Sequence, residues 1–121
     1  MLYNINRRKA FTLVEIMIVV AVIAILLAVA LPNYLKSATT VEKTICINNL
    51  RKIDAAVDQW AIENHIRQGT QPDQSQQNEI YTYVRGGKPI CPGGGEYSIG
   101  PVGDKPQAKC TLENKGHKLL E

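Results

Sequence analysis

The sequence is poor in what catalysis and metal binding require. Its two histidines, His65 and His117, stand far apart, and its three cysteines, Cys46, Cys91 and Cys110, fall in no zinc-ligand spacing. The spacing therefore predicts no metal site and no cofactor. Glu96, Asp104 and Glu113 are scattered and form no acidic loop for calcium. No nucleophile motif, phosphate-binding glycine loop or paired-carboxylate pattern occurs, which argues against an enzyme. Gly93-Gly94-Gly95 follows Pro92 and reads as a turn. Charge of one sign is also scarce. The net charge of +3 equals the contribution of Arg7, Arg8 and Lys9, and the remainder balances 11 Lys+Arg against 11 Asp+Glu. That leaves no electrostatic footprint for nucleic acid, and the basic triplet reads as a topological signal.

Charge is scarcest between Phe11 and Leu31. These 21 residues compare with roughly 20 needed to span a bilayer as a helix. Their only formal charge is Glu15. A charge near the centre of a span costs about 2.5–3.5 kcal/mol on insertion scales, so its presence calls for a reason. The basic residues before the run place residues 1–10 on the cytoplasmic side by the positive-inside rule. The run is read as retained in the mature protein rather than removed as a secretory signal peptide. Once residues 1–31 are set aside, 90 remain, a size that calls for a staple or a sheltering surface.

Pro32 either kinks the helix or marks the membrane exit. Neither glycine nor proline interrupts the chain from there to Gly69. Cys46, Leu50, Ile53, Val57 and Trp60 recur at helical spacing as one apolar stripe, with Lys43, Arg51, Lys52, Asp54, Asp58 and Glu63 mostly off it. The pattern predicts a single helix from about Phe11 to about Ile66, roughly 80 Å long. Residues 69–79 read as a polar loop, and Ile80–Val84 as a short strand or a single helical turn, its composition preferring strand. Glu96–Gly100 and Gln107–Leu112 read as antiparallel strands that need the helix stripe to pack on.

The expected class is α+β: one long N-terminal helix with a small antiparallel β-sheet packed on its C-terminal half. The segments are 1–10, 11–31, 32–66 and a loop-rich β domain at 67–121. For an exported domain, Cys91 and Cys110 are the favoured disulfide. They flank 18 residues, and closing such a loop is worth on the order of 3 kcal/mol in the chain-entropy model. Pairings through Cys46 stay open, and Cys46 on the stripe reads as a buried thiol or a bond to the sheet.

The block Phe11-Thr12-Leu13-Val14-Glu15, with Arg7-Arg8-Lys9 before it and Pro32 closing the apolar run, resembles the N-terminal signal of type IV pilins and type II secretion pseudopilins. The resemblance covers residues 7–36. Asn48–Asp54, Gln59-Trp60-Ala61, Cys91–Gly95 with Tyr97, and Cys110 with Gly116-His117 resemble, more loosely, small pseudopilin G-like or competence-type pilins. The resemblance implies a pilin-like fold and a subunit of a helical filament, either a type IV pilus or a secretion pseudopilus. It implies cleavage between Ala10 and Phe11 by a prepilin peptidase, N-methylation of Phe11, an assembly role for Glu15 and a helix kink at Pro32. Ala10 departs from the family's usual glycine. Implied partners are further copies of the chain, the peptidase, an inner-membrane assembly platform, minor pilins and the lipid bilayer. The implied location is the inner membrane with the C-terminal domain in the periplasm, then a filament. A single-pass anchor holding a periplasmic binding domain, without polymerisation, is the alternative.

Overall fold

The structure, a computed structural model, describes residues 10–120. The chain divides into two units between Lys36 and Ser37. Helix α1, Leu13–Glu63, is unbroken and contains Pro32. A proline there withholds one backbone N–H from the helix ladder, yet the helix continues. The run of strong helix formers around it and the absence of glycine carry it through.

Among the described residues of the first unit the large apolar side chains are all exposed, from Phe11 and Leu13 at the start to Leu31, Tyr34 and Leu35. A helix that is apolar all round and uncovered demands an apolar surrounding outside its own chain. It is long and apolar enough to cross a membrane.

The second unit is built on the far part of α1. Cys46, Leu50, Ile53 and Val57 are fully buried and Trp60 almost so. The stripe read from sequence is therefore the core face. Against it pack Ile80, Tyr81 and Val84, the strand residues Tyr97, Ile99, Ala108 and Cys110, and Cys91 and Val102. Full burial of such side chains is worth about 1.5–3 kcal/mol each. Strand β1, Tyr97–Ile99, pairs antiparallel with β2, Ala108–Cys110, with Tyr97 opposite Cys110 and Ile99 opposite Ala108. Both strands alternate buried, exposed, buried, as a half-covered sheet must.

Polar contacts fix the sheet on the helix. The Gln107 backbone N–H donates to Asp54 Oδ1 at 3.0 Å, and its side-chain amide donates to Asp58 Oδ1 at 2.7 Å. Asn49 Nδ2 donates to the Ile90 carbonyl at 3.2 Å and to the Tyr97 hydroxyl at 3.1 Å. Asn49, Asp54 and Asp58 thus hold three separated parts of the loop-rich half.

Two sequence expectations need correction. The helix stops at Glu63, short of Ile66, because its end is tied off locally. Ile66 N–H donates to the Ala61 carbonyl and His65 N–H to the Ile62 carbonyl, with His65 at φ 54°. This is a Schellman closure with histidine at the left-handed position glycine usually holds. The second correction concerns residues 69–84. Gln74–Thr82 form helix α2, so the polar stretch is half helical and Ile80–Val84 is not a strand. Asp73 caps it: its carboxylate accepts from Gln76 N–H at 2.8 Å while the Gln76 side chain accepts from Asp73 N–H at 2.9 Å. The Asp-x-x-Gln spacing was the signal, and reciprocal capping outweighs the weak helix preference of the run. Ile80 and Tyr81 are its buried residues, and the following Tyr83 hydroxyl donates to Glu63 Oε2 at 2.7 Å. Asp73→Ala should lower stability by about 1 kcal/mol, seen as a reduced urea midpoint with an unchanged slope.

Candidate functional site

Two places concentrate the chemistry of the described residues: the start of α1, and a buried cluster of sulfurs. Arg7, Arg8 and Lys9 lie outside the described residues. Ala10 and Phe11 precede the helix and are exposed, Phe11 by 78%. Thr12 caps α1, because its hydroxyl accepts from Glu15 N–H at 3.2 Å and its carbonyl accepts from Ile16 N–H. Sequence reading passed over Thr12, although Thr-x-x-Glu is the capping spacing. The cap fixes where the helix starts, so the Ala10–Phe11 bond lies outside the helical ladder. A peptide bond there is available to a protease in a way that one inside the helix is not. Ala28-Val29-Ala30 has the small-residue form of a secretory cleavage site, but it lies within the unbroken helix.

Glu15 sits in the first turn of α1, where the helix dipole favours a carboxylate. Its side chain is exposed and finds no hydrogen bond or ion pair among the described residues. A carboxylate so placed among lipid-facing side chains is a charge in want of a cation. Pro32 stands in the same exposed segment of helix.

The cysteines are brought together more closely than their spacing suggests. Cys46 from α1, Cys91 from the loop before β1, Cys110 at the end of β2 and His117 in the C-terminal turn place their donor atoms within 4.8 Å of one another, all four buried. Cys110 Sγ lies 3.9 Å from Cys91 Sγ, and Cys91 Sγ lies 3.5 Å from His117 Nδ1. The three cysteines are thiols. Cys91 and Cys110 are neighbours, as their pairing requires, but Cys46 belongs to the same cluster and no pair stands alone. Sequence reading missed the grouping because 26 positions separate Cys91 from His117 and the four residues come from different elements.

The cluster's surroundings act on the thiols in opposite directions. Burial pushes the Cys46 thiol up to about 12 despite its bond with Tyr97. Burial also raises Cys91, but bonds from the Gly95 and Gly93 backbone amides and from the other two thiols outweigh it and bring Cys91 below the ordinary value. Burial raises the Tyr97 hydroxyl as well.

Glycine is required where the 91–95 turn wraps this cluster. A Cβ on Gly95 would stand 2.7 Å from Cys110 Sγ, and one on Gly93 would stand 2.9 Å from His117 Cε1. His117 is delivered by Gly116, whose φ of 90° caps the short 3₁₀ turn Glu113–Lys115.

Comparison with known proteins agrees with the N-terminal reading. Residues 5–31 match the prokaryotic N-terminal methylation motif. The chain is 31% identical over 66 residues to the type II secretion system core protein G of Pseudomonas aeruginosa, covering 54% of this chain and 46% of that protein. It is 42% identical over 50 residues to the type IV major pilin protein PilA of Myxococcus xanthus, covering 41% and 23% respectively. Fimbrial protein Q of Moraxella bovis is 43% identical over 53 residues, 44% of this chain and 34% of that protein. The chain spans less than half the length of these curated relatives. No solved structure matches it significantly.

Because the Gly95 clearance is against a buried sulfur, Gly95→Ala should cost about 1–3 kcal/mol through overpacking. The corresponding change at Gly86, which has open space around it but a φ of 91°, should cost no more than backbone strain of about 1–2 kcal/mol. Thermal unfolding of the two variants side by side, with the Gly95 variant also altering the reactivity of the cysteines, checks the assignment.

Proposed function

We propose that this chain, which opens on the N-terminal segment of the type IV pilin and pseudopilin family, is a structural filament subunit and not an enzyme. The observation that carries the reading is the exposed apolar helix behind a capped N-terminus, bearing the Glu15 carboxylate, which is unpaired among the described residues. In this reading residues 1–10 form a leader with Arg7, Arg8 and Lys9 on the cytoplasmic side. Residues 11–31 anchor the precursor in the inner membrane, the helix continues from Pro32 to Glu63, and the 67–121 domain faces the periplasm. A prepilin peptidase cuts between Ala10 and Phe11 and the new Phe11 amine is methylated.

The amine then supplies the cation that Glu15 lacks. Presented by an axially shifted neighbour, it pairs with the carboxylate inside a bundle of apolar helices. A buried pair of this kind is best justified by fixing register. In lipid, helices gain little hydrophobic drive from associating, so packing and polar pairing decide whether they assemble. The helix thus serves first as an anchor and then as filament core, with Pro32 supplying local adjustment of the ladder. The assembly platform and minor pilins belong to the same reading. It holds equally for a pilus and for a secretion pseudopilus, since relatives of both kinds match.

Intact mass of the protein from native membranes tests the processing. The expected species begins at a methylated Phe11; retention of residues 1–10, or a terminus after Ala30, overturns it. Replacing Glu15 by Ala should abolish filaments while leaving membrane insertion intact. Filaments at the wild-type level would instead fit an anchor whose charge plays no part in assembly.

A further inference from the structure

The cluster at the centre of the second unit does work that filament assembly does not explain. Cys46, Cys91, Cys110 and His117 are 0%, 2%, 4% and 4% exposed, and they come from four different elements of the unit. We propose that these four side chains bind a single Zn²⁺ in a tetrahedral Cys₃His site, which clips the loop-rich half of the domain to helix α1.

The geometry is that of a tetrahedron before it closes. With Zn–S near 2.3 Å and Zn–N near 2.0–2.1 Å, a regular site has S···S edges of about 3.8 Å and S···N edges of about 3.6 Å. The corresponding separations here are 3.9 Å between Cys110 and Cys91 and 3.5 Å between Cys91 and His117 Nδ1. The fourth donor, Cys46, lies within 4.8 Å of the others. The donor set is also the right one. Three thiolates and an imidazole, all from buried side chains and with no carboxylate among them, are the composition of closed structural zinc sites.

The surroundings are those of metal ligands held in place. Asn49, on the same helix as Cys46, donates from Nδ2 to the Tyr97 hydroxyl at 3.1 Å and to the Ile90 carbonyl beside Cys91 at 3.2 Å, so α1 braces the loop that carries a second ligand. Glycines at 93 and 95 leave room for His117 and Cys110 to close in. A surface recess between Lys88–Ile90 and Gly95–Tyr97 reaches Cys91 and offers an entry path.

A disulfide is the rival arrangement. Joining Cys91 to Cys110 uses two of the three thiols, strands Cys46 buried beside the bond and gives His117 no task. Zinc employs all four groups. It also supplies the staple that a domain of this size, with a sheet of two three-residue strands, otherwise lacks. Binding is not a redox step: each cysteine that ligates exchanges its S–H proton, released to solvent, for a bond to the metal.

The test uses the full chain purified in detergent from native envelopes, without chelator. Elemental analysis and native mass should give one zinc per chain. Stripping and reloading with Co²⁺ alone should give the intense visible absorption of a tetrahedral site together with a thiolate-to-cobalt band. Chelation should lower the midpoint of unfolding by roughly 10 °C or more, since a domain of this size shifts by several degrees per kcal/mol. Cys46→Ser and His117→Ala should each lose the stoichiometric metal; if they fail to fold, the cobalt spectrum of the unaltered chain still decides. Metal-free protein carrying a native disulfide among the three cysteines overturns the proposal, as does reduced protein that takes up no cobalt. Neither result bears on polymerisation, so the two readings stand or fall separately.

Discussion

Helix α1 must satisfy two solvents along one unbroken hydrogen-bonded rod, and everything else in the protein depends on that. From Leu13 to Leu35 its large apolar side chains are exposed. From Cys46 to Ala61 one face is buried and the opposite face carries charge. The helical backbone is what makes the first part tolerable in lipid, because every spanning polar group is satisfied internally. The helix runs through Pro32.

The second part of the helix is the platform for a domain that could not stand alone. Two short strands, one nine-residue helix and several turns have too little core of their own. They borrow the stripe of α1, and the stripe's polar neighbours tie them down: Asn49 donates to the Ile90 carbonyl, Asp54 accepts from the Gln107 backbone N–H, and Asp58 accepts from the Gln107 side-chain amide. Under the zinc proposal Cys46 adds a third kind of attachment to apolar packing and hydrogen bonds. All three radiate from one face of α1 within the second unit.

How much of this was legible in the sequence follows from how local each signal is. The stripe Cys46–Trp60, the strands around Ser98 and Lys109, and the apolar run with Glu15 were visible because each repeats within a few residues. The capped helix at Gln74–Thr82 was hidden by composition: a polar, glutamine-rich stretch resembles a loop until Asp73 and Gln76 are seen as a reciprocal pair. The helix end was misplaced because Gly69 is the obvious stop signal, whereas His65 supplies the turn. The Cys–His cluster could not be found by ligand spacing at all. Its members are joined only by the way the loops return to α1, which no short window contains.

The central claim is that the uncovered helix is buried by copies of itself. The most direct measurement is electron microscopy of fibres sheared from cells, followed by peptide identification in the isolated fibre fraction. The account predicts peptides of the 37–121 unit in fibres whose N-terminal peptide begins at Phe11. Recovery of the chain only as a monomer in the membrane fraction, with fibres that lack it, would contradict the account.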